Sequence, residues 1–270
     1  MQFKFALITA LATLGNGQSP SQVRDFNAGP TRLGMWTYVP RTLSKPAPIV
    51  VAVHHCQGSA QGYSQETRYQ PLADQHGFII IYPNSKSGGG CFDVASTATL
   101  THNGGGDSQT IANMVDYAVK NLGGDRNRTF VTGSSSGAMM TQVLAGAYPD
   151  VFKAASAYSG VPDGCFFVQG STATQDPPAG TTSAPTARSP SRPRSGAMRW
   201  HGTADNTLRY PNYQESMKQW SNALGLTTSK TAQNNPQQGY TQTIYGDGTS
   251  TTAKLVGYSG AGGGPHGPGA

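Results

Sequence analysis

The run Thr129-Phe130-Val131-Thr132-Gly133-Ser134-Ser135-Ser136-Gly137-Ala138-Met139-Met140 constrains this chain more than any other stretch. It begins as a short apolar strand and continues as a good helix former from Ala138 to Ala147. Gly-x-Ser-x-Gly lies between them, and strand, tight turn and helix in that order make a nucleophile elbow. The turn forces Ser135 into a strained backbone conformation. Glycine at 133 and 137 removes side chains that would collide with neighbouring segments. The helix that follows aims its N-terminal amides at any anion formed beside the serine hydroxyl. Gly-x-Ser-x-Gly by itself is a common string in a chain with 35 glycines. The strand before it and the helix after it give the motif its meaning.

Strand-like and helix-like segments alternate along the rest of the chain. Residues 35–39, 48–54, 78–82, 153–158, 198–201, 242–245 and 254–258 read as strands, and 48–54 is apolar enough to be buried on both faces. Residues 70–76, 107–122 and 211–224 read as helices. In 107–122, Ile111, Met114, Val115, Ala118 and Leu122 share one face, with Asp107 placed to cap the start and Gly123 the end. Alternation of this kind predicts an α/β fold with a mostly parallel sheet covered by helices on both faces. The stretch Ser171 to Gly196 interrupts it, being rich in Ser, Thr, Pro, Ala and Arg without a hydrophobic period.

A basic balance does not by itself imply nucleic acid. The net charge of +6 comes from 19 basic and 13 acidic residues, and Arg188, Arg192, Arg194 and Arg199 fall in or beside the irregular stretch. No basic helix interleaved with aromatic residues accompanies them. Residues 1–17 have a lysine, an apolar run from Phe5 to Leu14 and then small residues, the pattern of a secretory signal peptide. That run is too short to span a bilayer. The expected organisation is a leader over 1–17 and one domain over 18–270, exported as a monomer. Export makes Cys56, Cys91 and Cys165 an odd set in an oxidising compartment. Cys56 and Cys91 each follow a predicted strand and are the candidate pair. Asn127-Arg128-Thr129 is a glycosylation sequon.

A serine nucleophile needs a base, a carboxylate to orient it and donors for the oxyanion. In this architecture the acid and then the histidine follow the serine in the chain. Asp205 lies in the loop after the strand ending at His201, and His266 is the only histidine beyond it. Ser135, Asp205 and His266 are therefore the expected triad, with His201 supporting the loop. The amides of Ser136 and Cys56 are the expected oxyanion donors. His54 and His55 beside Cys56 lack a fourth ligand at metal-binding spacing, so no metal is expected.

Several long motifs carry a resemblance: Gly34 to Pro40, the Cys56 loop, Gly89-Gly90-Cys91-Phe92-Asp93-Val94, Leu100 to Gly106, Val131 to Thr141, Ala157-Tyr158-Ser159-Gly160-Val161-Pro162 and His201-Gly202-Thr203-Ala204-Asp205. Over residues 20–168 and 197–260 the chain resembles the fungal acetylxylan esterases and type B feruloyl esterases, carbohydrate esterase family 1, related to polyhydroxybutyrate depolymerases. The resemblance implies an α/β-hydrolase: a secreted, cofactor-free serine esterase that removes acetyl or feruloyl groups from plant xylan. Phe92 stands where that family usually has Trp; it and Trp200 are candidate substrate-binding rings, and Phe92 has core packing as its alternative role. The alternatives are a hydrolase-fold binding protein with impaired catalysis and a depolymerase of aliphatic polyesters. The chain departs from the family in the irregular stretch, where a cysteine that would pair with Cys165 is missing, and at its end. A shifted reading frame over codons for Gly-His-Thr-Val-Pro-Val yields Pro265-His266-Gly267-Pro268-Gly269-Ala270. We therefore expect frame-shifted or mis-spliced segments near 171–196 and 262–270, with the closing helix lost.

Overall fold

The structure is a computed structural model, and it describes residues 19–165 and 196–262. The expected leader, most of the irregular stretch and His266 lie outside the described residues.

Ten strands form one sheet in the order β1-β2-β4-β3-β5-β6-β7-β10-β9-β8. They are β1 (Ser21–Val23), β2 (Gly34–Tyr38), β3 (Ala47–Val53), β4 (Ile79–Asn84), β5 (Gly124–Ser134), β6 (Ala154–Tyr158), β7 (Gly196–Gly202), β8 (Ser229–Gln233), β9 (Tyr240–Tyr245) and β10 (Leu255–Gly260). The central strands β4, β3, β5, β6, β7 and β10 pair in parallel, and antiparallel partners close both ends. Helices α1 (Ala60–Glu66), α2 (Tyr69–His76), α3 (Thr97–Leu100), α4 (Asp107–Asn121), α5 (Ser136–Ala147) and α6 (Pro211–Leu224) connect them.

Strand periodicity divides the core between the two faces. Ile49, Val51 and Val53 of β3 join the larger cluster with Ile111, Met114 and Val115 of α4, Met140, Val143 and Leu144 of α5, and Met217 and Trp220 of α6. Ala52 faces the other way, against Ala60, Tyr63, Ala73, Ile80 and Tyr82. Helix α5 is buried along its whole length, so its sequence is apolar or small on every side except at Gln142, whose amide donates to Val161 O and accepts from Trp220 Nε1. Among the described residues no helix is long and apolar enough to cross a membrane.

Most expected elements appear with ends shifted by one or two residues. Others lacked a readable signal. All five residues of β8, Ser-Lys-Thr-Ala-Gln, are exposed on a sheet edge, which leaves no apolar face to detect. The first part of β5 is polar, yet Gly124 pairs with Ala47. Helix α4 is capped differently from the expectation: Gly106 occupies the N-cap, and Asp107 sits in the first turn with its Oδ2 accepting the Asp93 amide at 2.9 Å. Arg199 belongs to β7, and the guanidinium is buried 4.6 Å above the Trp220 ring. Burial pushes its pKa down to about 9, opposed by the Asp163 carboxylate.

Ile81 is fully buried in β4. Ile81→Ala should lower the unfolding free energy by about 2–5 kcal/mol. The check is a lower urea midpoint at unchanged m-value.

Candidate active site

Ser135 lies between β5 and α5 at φ 54°, ψ −119°, outside the region open to most L-residues. Local pairing holds it there. Its amide donates to Tyr158 O at 3.0 Å, and its carbonyl accepts the Met139 amide at 3.0 Å. The elbow also presses on the end of β3. A Cβ at Gly137 would overlap Val53 O and lie 2.7 Å from His54 O; one at Gly133 would lie 2.7 Å from Val53 O. Only glycine fits at either position.

The Cys56 loop follows β3 directly, so the same contact brings it to the serine. Its first residue, His54, is fully buried. The Ser85 amide donates to Nε2 at 3.1 Å, which makes Nε2 an acceptor and leaves Nδ1 to donate to His55 O at 2.6 Å. Burial holds this imidazole below the usual histidine range, against the pull of the His55 carbonyl. At His55 burial also disfavours the cation, but the Cys56 carbonyl at 2.7 Å and the Glu66 carboxylate at 3.0 Å outweigh it and raise its pKa. Cys56 and Cys91 form the expected disulfide. Cys165 is buried in a small cluster with Met139, Val161 and Leu208.

The proposed acid lies beyond the end of β7, and β6 separates that strand from β5. Asp205 is 3% exposed, and Oδ1 accepts the amides of Thr207 at 3.0 Å and Leu208 at 2.9 Å. His201 Nε2 lies 3.9 Å from Asp205 Oδ2 and bonds Leu208 O at 2.7 Å, so this histidine braces the loop. The backbone after β10 is tied to the same loop. Thr203 N donates to Gly260 O at 2.7 Å and Ala204 N to Gly262 O at 3.3 Å. His266 itself is outside the described residues.

Two rings expected at the substrate have other surroundings. Phe92 is 4% exposed and packs against the His54 ring, centroids 4.7 Å apart, leaving no open face for a sugar. Its backbone faces the site instead: the Phe92 amide donates to Ser136 Oγ at 2.9 Å. Trp200 stacks between Tyr258 at 3.9 Å and Tyr158 at 5.8 Å, so partners flank it on both sides. Sequence reasoning missed His54, Ser85 and the Phe92 amide as builders of the site. A buried histidine just after an apolar strand was the one available signal. Among the described residues no group of His, Cys, Asp and Glu could hold a metal ion.

An elbow serine with glycine-tight packing, at the end of a central parallel strand, can be compared with known proteins. The profile of the esterase PHB depolymerase family matches residues 35–212. The chain belongs to that family. It is 47% identical over 249 residues to acetylxylan esterase A of Aspergillus awamori, covering 85% of this chain and 81% of that protein. Feruloyl esterase B of Talaromyces funiculosus is 40% identical over 261 residues, covering 90% and 72%. The solved acetyl xylan esterase from Aspergillus awamori superposes with a TM-score of 0.83 at 44% identity, covering 90% of this chain and 92% of that one. The fold is the α/β-hydrolase fold, as the sequence predicts.

Gly137→Ala should destabilise the chain by more than about 3 kcal/mol, because backbone of β3 blocks the new methyl group. Thermal unfolding tests this; an unchanged Tm contradicts it. His54 makes a separate prediction. Its folded pKa is lowered, so as pH falls below about 6.5 the unfolded chain gains a proton that the folded chain refuses. His54 therefore contributes stability above that pH and loses it on acidification, whereas His55, raised by its partners, has the opposite sign. NMR titration of the two imidazoles should place His54 below and His55 above free histidine.

Proposed function

We propose that this protein is a secreted serine carboxylic-ester hydrolase that removes acetyl or feruloyl groups from plant xylan. The observation that carries this reading is Ser135 at positive φ, held where β3, β5 and α5 converge. The kinship with acetylxylan esterase A and feruloyl esterase B supports the ester and polysaccharide chemistry.

In the proposed mechanism Ser135 Oγ attacks the ester carbonyl while His266 takes its proton. Asp205, fixed by two backbone amides, orients the imidazole. The amides of Cys56 and Ser136 receive the oxyanion, and each such donor is worth about 10²–10³ in kcat. His266 then returns the proton to the departing sugar hydroxyl, leaving an acyl-serine. Water, activated by the same base, releases acetate or ferulate and restores Ser135. The chemistry needs no cofactor. Export, action as a monomer and a glycan on Asn127, whose side chain is exposed at the polar start of β5, belong to the same proposal.

Ser135→Ala should abolish hydrolysis of acetylated xylan and methyl ferulate at unchanged Tm. Asp205→Asn should slow it by about 10⁴-fold, since the imidazole loses its orienting carboxylate. Labelling of Ser135 by a fluorophosphonate, located by mass spectrometry, separates an enzyme from a hydrolase-fold binding protein. An unlabelled, inactive chain would refute the proposal.

A further inference from the structure

The two proposed oxyanion donors lie on different chain segments. The Cys56 amide is on the loop after β3, and the Ser136 amide opens α5. An oxyanion hole works only if its donors are held to within about half an ångström. The loop after β4, residues 85–94, touches both segments. Cys91 is disulfide-bonded to Cys56, and the Gln57 amide donates to Gly89 O at 3.0 Å. One residue further on, the Phe92 amide donates to Ser136 Oγ at 2.9 Å. The dipeptide Cys91-Phe92 thus bridges the donor-bearing segments directly.

The bridge is itself anchored. The hydroxyls of Ser85 and Ser87 both donate to Cys91 O at 2.7 Å. The Ser85 amide is held by His54 Nε2, and the Asp93 amide by Asp107 on α4. Ser136 is 2% exposed, so water does not compete for its hydroxyl. Covalent linkage secures the Cys56 side; on the Ser136 side this hydrogen bond ties the loop to the elbow, beside apolar packing of Phe92 and Val94 near α5.

We infer that the Ser136 hydroxyl is a positioning group: by accepting the Phe92 amide it fixes the Cys91-Phe92 bridge and so sets the spacing of the two oxyanion donors. This rests on the esterase reading above and adds a task for a side chain whose backbone alone had a role there. The task assigned to Ser136 Oγ is to place the donors, not to bond the reacting atoms. Its loss leaves the Ser136 amide in the chain and frees the bridge to shift.

The test compares the full-length chain with Ser136→Ala and Ser136→Cys. With p-nitrophenyl acetate, Ser136→Ala should lose about tenfold in kcat, less than removal of a whole donor costs. KM should stay within about twofold, since the effect falls on the transition state. Ser136→Cys, with a weaker sulfur acceptor, should lie between. Hydrogen exchange supplies a readout independent of turnover. The Phe92 amide should be strongly protected in the native chain and exchange at least about tenfold faster in Ser136→Ala, because its acceptor is gone. An unprotected Phe92 amide in the native chain overturns the inference even if neither variant folds. So does unchanged exchange in Ser136→Ala, or unchanged kcat in an active background. An inactive native chain would strike the Ser135 assignment instead, and the exchange measurement would still decide whether the bridge exists.

Discussion

The organising contact of this molecule is between the backbone of helix α5 and the end of strand β3. At Gly137 the chain passes so close to Val53 O that no side chain fits. That approach turns the strand-to-helix corner sharply enough to put Ser135 at φ 54°. A left-handed, non-glycine residue is costly, and it persists only where surrounding structure over-determines it. Here the surroundings are a parallel ladder on each side of β5, the Tyr158 carbonyl on the Ser135 amide and the buried length of α5. The stability of the sheet is thus the source of the strain at the serine.

The same contact determines which loops can meet. Because β3 ends against the elbow, the residues after it, His54 to Gln57, are delivered to the serine. Because β4 runs parallel beside β3, the loop after β4 arrives there too. A disulfide and hydrogen bonds from backbone amides and serine hydroxyls then join the three segments. The neutral His54 tautomer suits this role, since it needs one donor and one acceptor at a buried position. Protonation would convert the acceptor facing Ser85 N into a second donor. Burial and geometry favour the same form.

Legibility in the sequence followed burial. Strands β3 and β4 and helices α4 and α6 announce themselves through apolar runs or helical periodicity. Strand β8 and the start of β5 do not, because pairing alone recruits their polar residues. Strand β10 extends past the expected end at Tyr258 to Gly260, since Ser259 and Gly260 are paired on both sides, with His201 and Gly202 of β7 and with Thr241 and Tyr240 of β9. The sharp turn at Ser135 and the Cys56–Cys91 pair were readable, the first because Gly-x-Ser-x-Gly between strand and helix carries a mechanism, the second because each cysteine follows a strand. The settings of Phe92 and Trp200 were not. An aromatic residue near a motif gives no sign whether its ring faces substrate or core, and here one packs on His54 and the other stacks between two tyrosines.

By itself, the amino-acid sequence determined the alternation of strands and helices, the elbow and the residue types available for ester chemistry. Those are local properties, written in periodicity and in the two glycines that flank Ser135. Tertiary structure alone decided which segments converge on the serine, which histidine is buried as a neutral brace, and that the Phe92 amide meets the Ser136 hydroxyl. Such outcomes depend on contacts between residues far apart in the chain. For those contacts the deciding quantities are distance and burial, and neither is encoded in any single segment.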